Sequence, residues 1–149
     1  MSVWEKAYFD EYSGGFCIYH KKHQFATTDG GGEAEKTVGL LLAKFNGKQV
    51  EFLSEGIRKK SDLKFDEQTW EIKYIRNANI KTIRGYIEEI RKKKSDNGIF
   101  YWGNAEKLDF LRSAIASESG KMFKLGRINE MPNIYYIDKH CILKLLWKK

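Results

Sequence analysis

Hydrophobic positions along this chain follow two rhythms, and the switches between them divide it into elements. From Glu33 onward, Ala34, Val38, Leu41, Leu42 and Phe45 fall three and four residues apart, the spacing of one helical face, and Asn46-Gly47 supplies a stop. Gln49-Val50-Glu51-Phe52-Leu53 then alternates roughly with period two, as a half-buried strand does. Asp62-Leu63-Lys64-Phe65 and Thr69-Trp70-Glu71-Ile72-Lys73-Tyr74-Ile75, joined by the polar Asp66-Glu67-Gln68, predict a hairpin. Across residues 79–94, Ile80, Ile83, Ile87 and Ile90 form a helical stripe, and Arg91-Lys92-Lys93-Lys94 places cations where a helix C-terminus favours them. The continuous apolar run Ile99-Phe100-Tyr101-Trp102 predicts a central strand buried on both faces. Leu108, Leu111 and Ile115 mark a third helix within residues 105–116, and residues 134–137 and 141–147 predict a closing hairpin. The expected order from Glu33 is α-β-β-β-α-β-α-β-β, an α/β (α+β) chain with a mixed central sheet flanked by helices.

Residues 1–32 read differently. Tyr8, Phe9 and Tyr12 precede Gly14-Gly15 and the short strand candidate Phe16-Cys17-Ile18-Tyr19, and Thr27-Thr28-Asp29-Gly30-Gly31-Gly32 has the composition of a linker. The expected division is therefore an N-terminal extension, 1–32, and a larger domain, 33–149. At 149 residues with 42% hydrophobic side chains the chain has enough apolar material for one core. No apolar run approaches the roughly 20 residues of a membrane-spanning helix, and Met1-Ser2-Val3-Trp4-Glu5-Lys6 does not read as a secretory signal. Two cysteines, Cys17 and Cys141, are too few for a disulfide scaffold or a four-thiolate zinc site and are expected to be buried thiols.

Charge narrows the partners. The net charge is +7, and residues 1–32 hold three lysines against four acids, so the basic excess belongs to residues 33–149. Such an excess favours a polyanion, nucleic acid first.

The chemistry concentrates in the predicted hairpin. Glu71 and Lys73 are two residues apart on a strand and share a face, with Trp70, Ile72 and Tyr74 on the other. A two-residue turn at Asp66-Glu67 sets Asp62 opposite Glu71, and one at Glu67-Gln68 sets it opposite Lys73; a one- or three-residue loop breaks the grouping. Two carboxylates beside an ammonium suit a hard divalent cation, Mg²⁺ first with Mn²⁺ or Zn²⁺ as alternatives. Lys73 could then stabilise charge on a pentavalent phosphate or hold an attacking water. The first helix offers a further acid, Glu35, with Glu33 as the alternate. Arg58-Lys59-Lys60, which lead into Asp62, and Lys64 are candidate phosphate contacts. The competing interpretation of Glu71 and Lys73 is a solvated strand face with alternating charges. His20, His23 and His140 are too scattered for a metal site, but His20 or His23 could serve as the base of a metal-free ribonuclease. Tyr101, Trp102, Tyr135 and Tyr136 could stack bases, although such residues more often belong to a core.

An acid on the first helix, Asp62 at the start of the second strand, Glu71-Ile72-Lys73 in the third, then a helix and a strand: over about residues 33–103 this arrangement resembles the PD-(D/E)xK nuclease superfamily. Within it, the Glu33-Ala34-Glu35 helix, Ser61-Asp62 and Trp70-Glu71-Ile72-Lys73 look most like the small C-terminal nuclease domains of bacterial polymorphic toxins. These include contact-dependent growth inhibition toxins that cleave tRNA and related domains appended to phage head proteins. The resemblance implies a restriction-endonuclease-like α-β-β-β-α-β core, metal held by Asp62 and Glu71, a catalytic Lys73 and a helix-one carboxylate at Glu35. It further implies a nucleic-acid substrate, tRNA favoured over DNA, a cognate immunity protein as partner, and action in the cytoplasm of a target cell after delivery within a larger protein. Two departures stand out: Ser61 occupies a position often held by proline, and the second helix lacks the Gln-x-x-x-Tyr pattern of some DNA-processing members.

Overall fold

Among the described residues, eight strands pair in the order in which the chain forms them: β1 (Trp4–Phe9), β2 (Phe16–His20), β3 (Gln49–Phe52), β4 (Leu63–Phe65), β5 (Gln68–Tyr74), β6 (Asn97–Tyr101), β7 (Asn133–Ile137) and β8 (Leu143–Trp147). Three helices, α1 (Gly31–Asn46), α2 (Ile80–Lys92) and α3 (Leu108–Lys124), lie between β2 and β3, β5 and β6, and β6 and β7. Those three strand pairs are parallel and the other four antiparallel. A parallel pair cannot be joined by a tight turn, so a crossover falls at each of the three. The result is a mixed α/β fold with one mixed sheet. The computed structural model describes residues 4–20, 31–53, 61–76, 79–102 and 107–149. Among them, no helix is long and apolar enough to cross a membrane.

The expected element order from Glu33 is the observed one, and local chemistry explains the boundaries. The α1 helix stops where Gly47 adopts φ +62°, a left-handed conformation that glycine enters without a Cβ penalty. Asn79 caps α2 by accepting from the backbone N–H groups of Lys81 (2.9 Å) and Thr82 (3.3 Å). The stripe Ile83, Ile87 and Ile90 is fully buried. Helix α3 continues to Lys124, past the expected end at residue 116, although Ser117, Ser119 and Gly120 are weak helix formers. Its buried stripe explains this, since Leu111, Ala114 and Ile115 are followed by Glu118 and Met122.

The sheet carries an apolar cluster on each face. Val38, Leu42 and Ala43 of α1 pack with Val50, Phe52, Leu63, Phe65, Trp70, Ile72 and Ile99. On the other face α2 and α3 cover Ile75, Phe100, Trp102 and Ile134. Ile99 and its neighbour Phe100 enter opposite clusters, as expected for an internal strand parallel to both neighbours. Trp102 stacks on Tyr136 (centroids 5.6 Å apart) and Trp70 packs on Tyr135 (4.8 Å), so these aromatics serve the packing of the two clusters.

Before residue 32 the sequence predicts one short strand; the structure has two. Strand β1 pairs antiparallel with β2, β2 runs parallel to β3, and Cys17 is buried in the α1-side cluster. Burial pushes the Cys17 thiol up to about 12. Cys141 is a free thiol too, but only half-buried, in the turn before β8, where its φ is +65°. Residues 27–30 of the glycine-rich stretch lie outside the described residues, whereas Gly31 and Gly32 open α1.

Candidate functional site

The hairpin register decides whether the acidic residues meet. Strands β4 and β5 pair Leu63 with Trp70, Lys64 with Thr69 and Phe65 with Gln68, so the turn is the two-residue Asp66-Glu67. Both turn residues have positive φ, +50° and +60°, the backbone that suits the right-handed twist of a tight hairpin. Continued by one residue, this register sets Asp62 across from Glu71. The Asp62 carbonyl accepts from Leu53 N–H at 2.9 Å, which ties it to the end of β3. Its carboxylate Oδ2 accepts from Ile72 N–H at 2.9 Å and fixes the side chain against β5.

Glu71 lies beside it with 2% of its surface exposed. Its Oε1 accepts from Lys93 Nζ at 2.8 Å, while Oε2 is buried without a hydrogen-bond donor. Burial raises its carboxyl from the ordinary 4.5 to about 8; the neighbouring Asp62 adds to the rise and Lys93 opposes it. Two carboxyl groups so placed repel one another where little water screens them. This pair fits a divalent cation: an oxygen-only donor set contains a buried oxygen with nothing to bind, and an added positive charge would relieve the repulsion. Among the described residues no three His, Cys, Asp or Glu side chains gather to hold a metal ion. A cation here would draw on two carboxylates and complete its shell with water or phosphate, as Mg²⁺ commonly does.

The remaining candidate residues are dispersed. Lys73 shares the Glu71 face but its ammonium bonds Glu89 of α2 and lies 5.4 Å from the centroid of the Tyr86 ring. Glu35 is buried on α1, whose apolar residues pack on the face of Trp70 and Ile72, opposite the α2-covered face to which Glu71 and Lys73 turn. It is therefore not gathered with Asp62 and Glu71. Glu33, the alternate, is exposed and 3.9 Å from Lys36. Lys64 is exposed and lines a surface cleft of about 420 Å³ with Glu51, Asp66 and Glu67. Arg58, Lys59, Lys60 and His23 lie outside the described residues. His20 packs edge-on against Trp4 on β2, and His140 sits in the turn before β8, near the other end of the strand order.

Lys93 is the site residue that sequence reasoning passed over, as one of four cations at a helix end. A usable signal was present: the stripe Ile83, Ile87, Ile90 extends by one further step of three to residue 93. A buried hydroxyl pair, Ser61 with Ser95, also joins the residue before Asp62 to the segment just after α2, and no spacing rule pointed to it. Comparison with known protein families, curated proteins and solved structures found no match for this chain.

Proposed function

We propose that this chain is a divalent-metal-dependent nuclease with a restriction-endonuclease-like core, of the PD-(D/E)xK kind found in toxin domains. The observation that carries the reading is the buried pair Asp62 and Glu71, one oxygen of which has no donor, with Lys73 two residues further along the same strand face. A bound Mg²⁺ or Mn²⁺ would supply Lewis-acid charge to a phosphodiester oxygen. Asp62, held by Ile72 N–H, and Glu71 would retain the ion, and oxygen-only ligands favour these metals over Zn²⁺. Lys73 exchanges Glu89 for a phosphate oxygen as negative charge builds there. The basic excess favours nucleic acid, and the toxin resemblance favours tRNA over DNA, with action in a target cell's cytoplasm and a cognate immunity protein as partner.

A second reading, a catalytically silent domain binding nucleic acid or protein, is favoured by the internal pairing of the site: Lys73 engages Glu89 and Lys93 engages Glu71. Incubation with total tRNA and plasmid DNA, in Mg²⁺ and in chelator, beside Glu71→Ala and Lys73→Ala, separates the two. Metal-dependent cleavage lost in both variants is expected. A folded protein that cleaves neither substrate in any divalent metal supports the silent domain, and cleavage that survives chelator supports a metal-free ribonuclease.

A further inference from the structure

Glu71 receives its lysine from helix α2 and not from its own strand. Lys93 caps α2, its N–H bonding the carbonyls of Glu89 and Arg91, and Lys94 then turns left-handed at φ +56°. This fixes the Lys93 backbone one step beyond Ile90 on the buried stripe. Glu71 pairs across the parallel ladder with Gly98, and a Cβ there would lie 2.6 Å from Ile90 Cδ1. The missing side chain lets α2 approach the sheet, so that the next residue on the stripe reaches Glu71. Lys93 Nζ sits 2.8 Å from Oε1, with 24% of its side chain still exposed. Its neighbours in the basic run turn elsewhere: Lys92 lies 3.2 Å from Glu88, and Arg91 lies 3.8 Å from Glu130.

We propose that Lys93 is an internal counter-cation: its ammonium holds the cation position of the Asp62–Glu71 pair and leaves Glu71 when a divalent ion binds. The inference rests on the metal-dependent reading above. Two cations on one buried carboxylate repel strongly where water does not screen them. One must go, and the lysine, on a flexible stem with an exposed flank, is the one with an open route. Lys73 does not hold this position: its ammonium pairs with Glu89 and lies near the Tyr86 ring, not against Glu71. The exchange returns a positive charge to the solvent side of the site, where a polyanion would meet it.

The test titrates Mn²⁺ calorimetrically into the full chain, Lys93→Met, Lys93→Gln and Glu71→Gln, with folding checked by circular dichroism. In parallel, an amine-acylating reagent reports the reactivity of each lysine in the unaltered chain by mass spectrometry, with and without Mn²⁺. Mn²⁺ binding lost in Glu71→Gln and tightened about tenfold or more in whichever Lys93 variant folds is the expected result, the scale of one charge-assisted hydrogen bond. Lys93 should acylate several-fold faster once Mn²⁺ is bound. Mn²⁺ bound through Glu71 with equal or weaker affinity in the Lys93 variants, or without a change in Lys93 labelling, overturns the inference and leaves the metal-dependent reading standing. No Mn²⁺ binding by the unaltered chain or by any variant overturns the reading and the inference together.

Discussion

Replacing Glu71 by glutamine should remove a pH dependence of stability that the unaltered, metal-free protein shows between about pH 5 and 8. Burial and the adjacent Asp62 raise the Glu71 carboxyl from 4.5 to about 8 in the folded state. A group raised on folding contributes stability that is complete below its unfolded value and is lost as pH climbs through its folded value. Each unit is worth about 1.4 kcal/mol, so between about pH 5.5 and about pH 8.5 the loss is on the order of 3 kcal/mol. With only 2% of the residue exposed, solvent does little to screen it. Among the described residues, the other shifted carboxylates, Asp10, Glu88, Glu130 and Asp138, are all lowered, so their contributions disappear only on acidification below the ordinary carboxylate range and do not overlap this window. Urea unfolding in chelator should therefore show a midpoint lower by roughly 1–3 M at the higher pH, for a denaturant slope of about 1–3 kcal/mol per molar. Glu71→Gln should unfold at nearly the same urea concentration throughout. A flat profile for the unaltered chain, or the same slope in Glu71→Gln, would refute the assignment of a buried carboxyl held well above its ordinary range to this position.

Asp62→Ala should lose both an acidic ligand and the acceptor of Ile72 N–H, destabilising the chain by about 1–3 kcal/mol in thermal or urea unfolding; Asp62→Asn, which keeps an acceptor, should recover most of that stability while still failing to bind Mn²⁺. Ile87→Ala, at the fully buried centre of the α2 stripe, should cost about 2–5 kcal/mol while leaving Mn²⁺ affinity within a few-fold of the unaltered chain, as read by denaturation and calorimetry on the same preparation.

The element order was legible because hydrophobic period is local. Ile83, Ile87 and Ile90 recur at helical spacing and Trp70 and Ile72 at strand spacing, so each set lines up on one apolar face that the period alone reveals. Both cysteines and the aromatic run were also read as packing residues, and all but the half-buried Cys141 followed. Before residue 32 the sequence predicts one short strand, Phe16–Tyr19; the structure adds β1, paired antiparallel with β2, which in turn runs parallel to β3.

By itself, then, the sequence determined the period of each element, the shared face of Glu71 and Lys73, and the two registers that could bring Asp62 to it. Tertiary structure chose the Asp66-Glu67 turn, which pairs Leu63 with Trp70 and Phe65 with Gln68. It also decided which lysine meets which acid. Strand spacing suggested Lys73 for the carboxylate pair, yet the side chain that reaches Glu71 comes from 22 residues away, and Lys73 reaches α2 instead. Side chains on one strand face stand side by side and project in parallel, whereas the partner of a buried charge is supplied by whatever packs on top of it. That partner depends on where a helix ends and how closely it approaches the sheet, which no periodicity along the chain records.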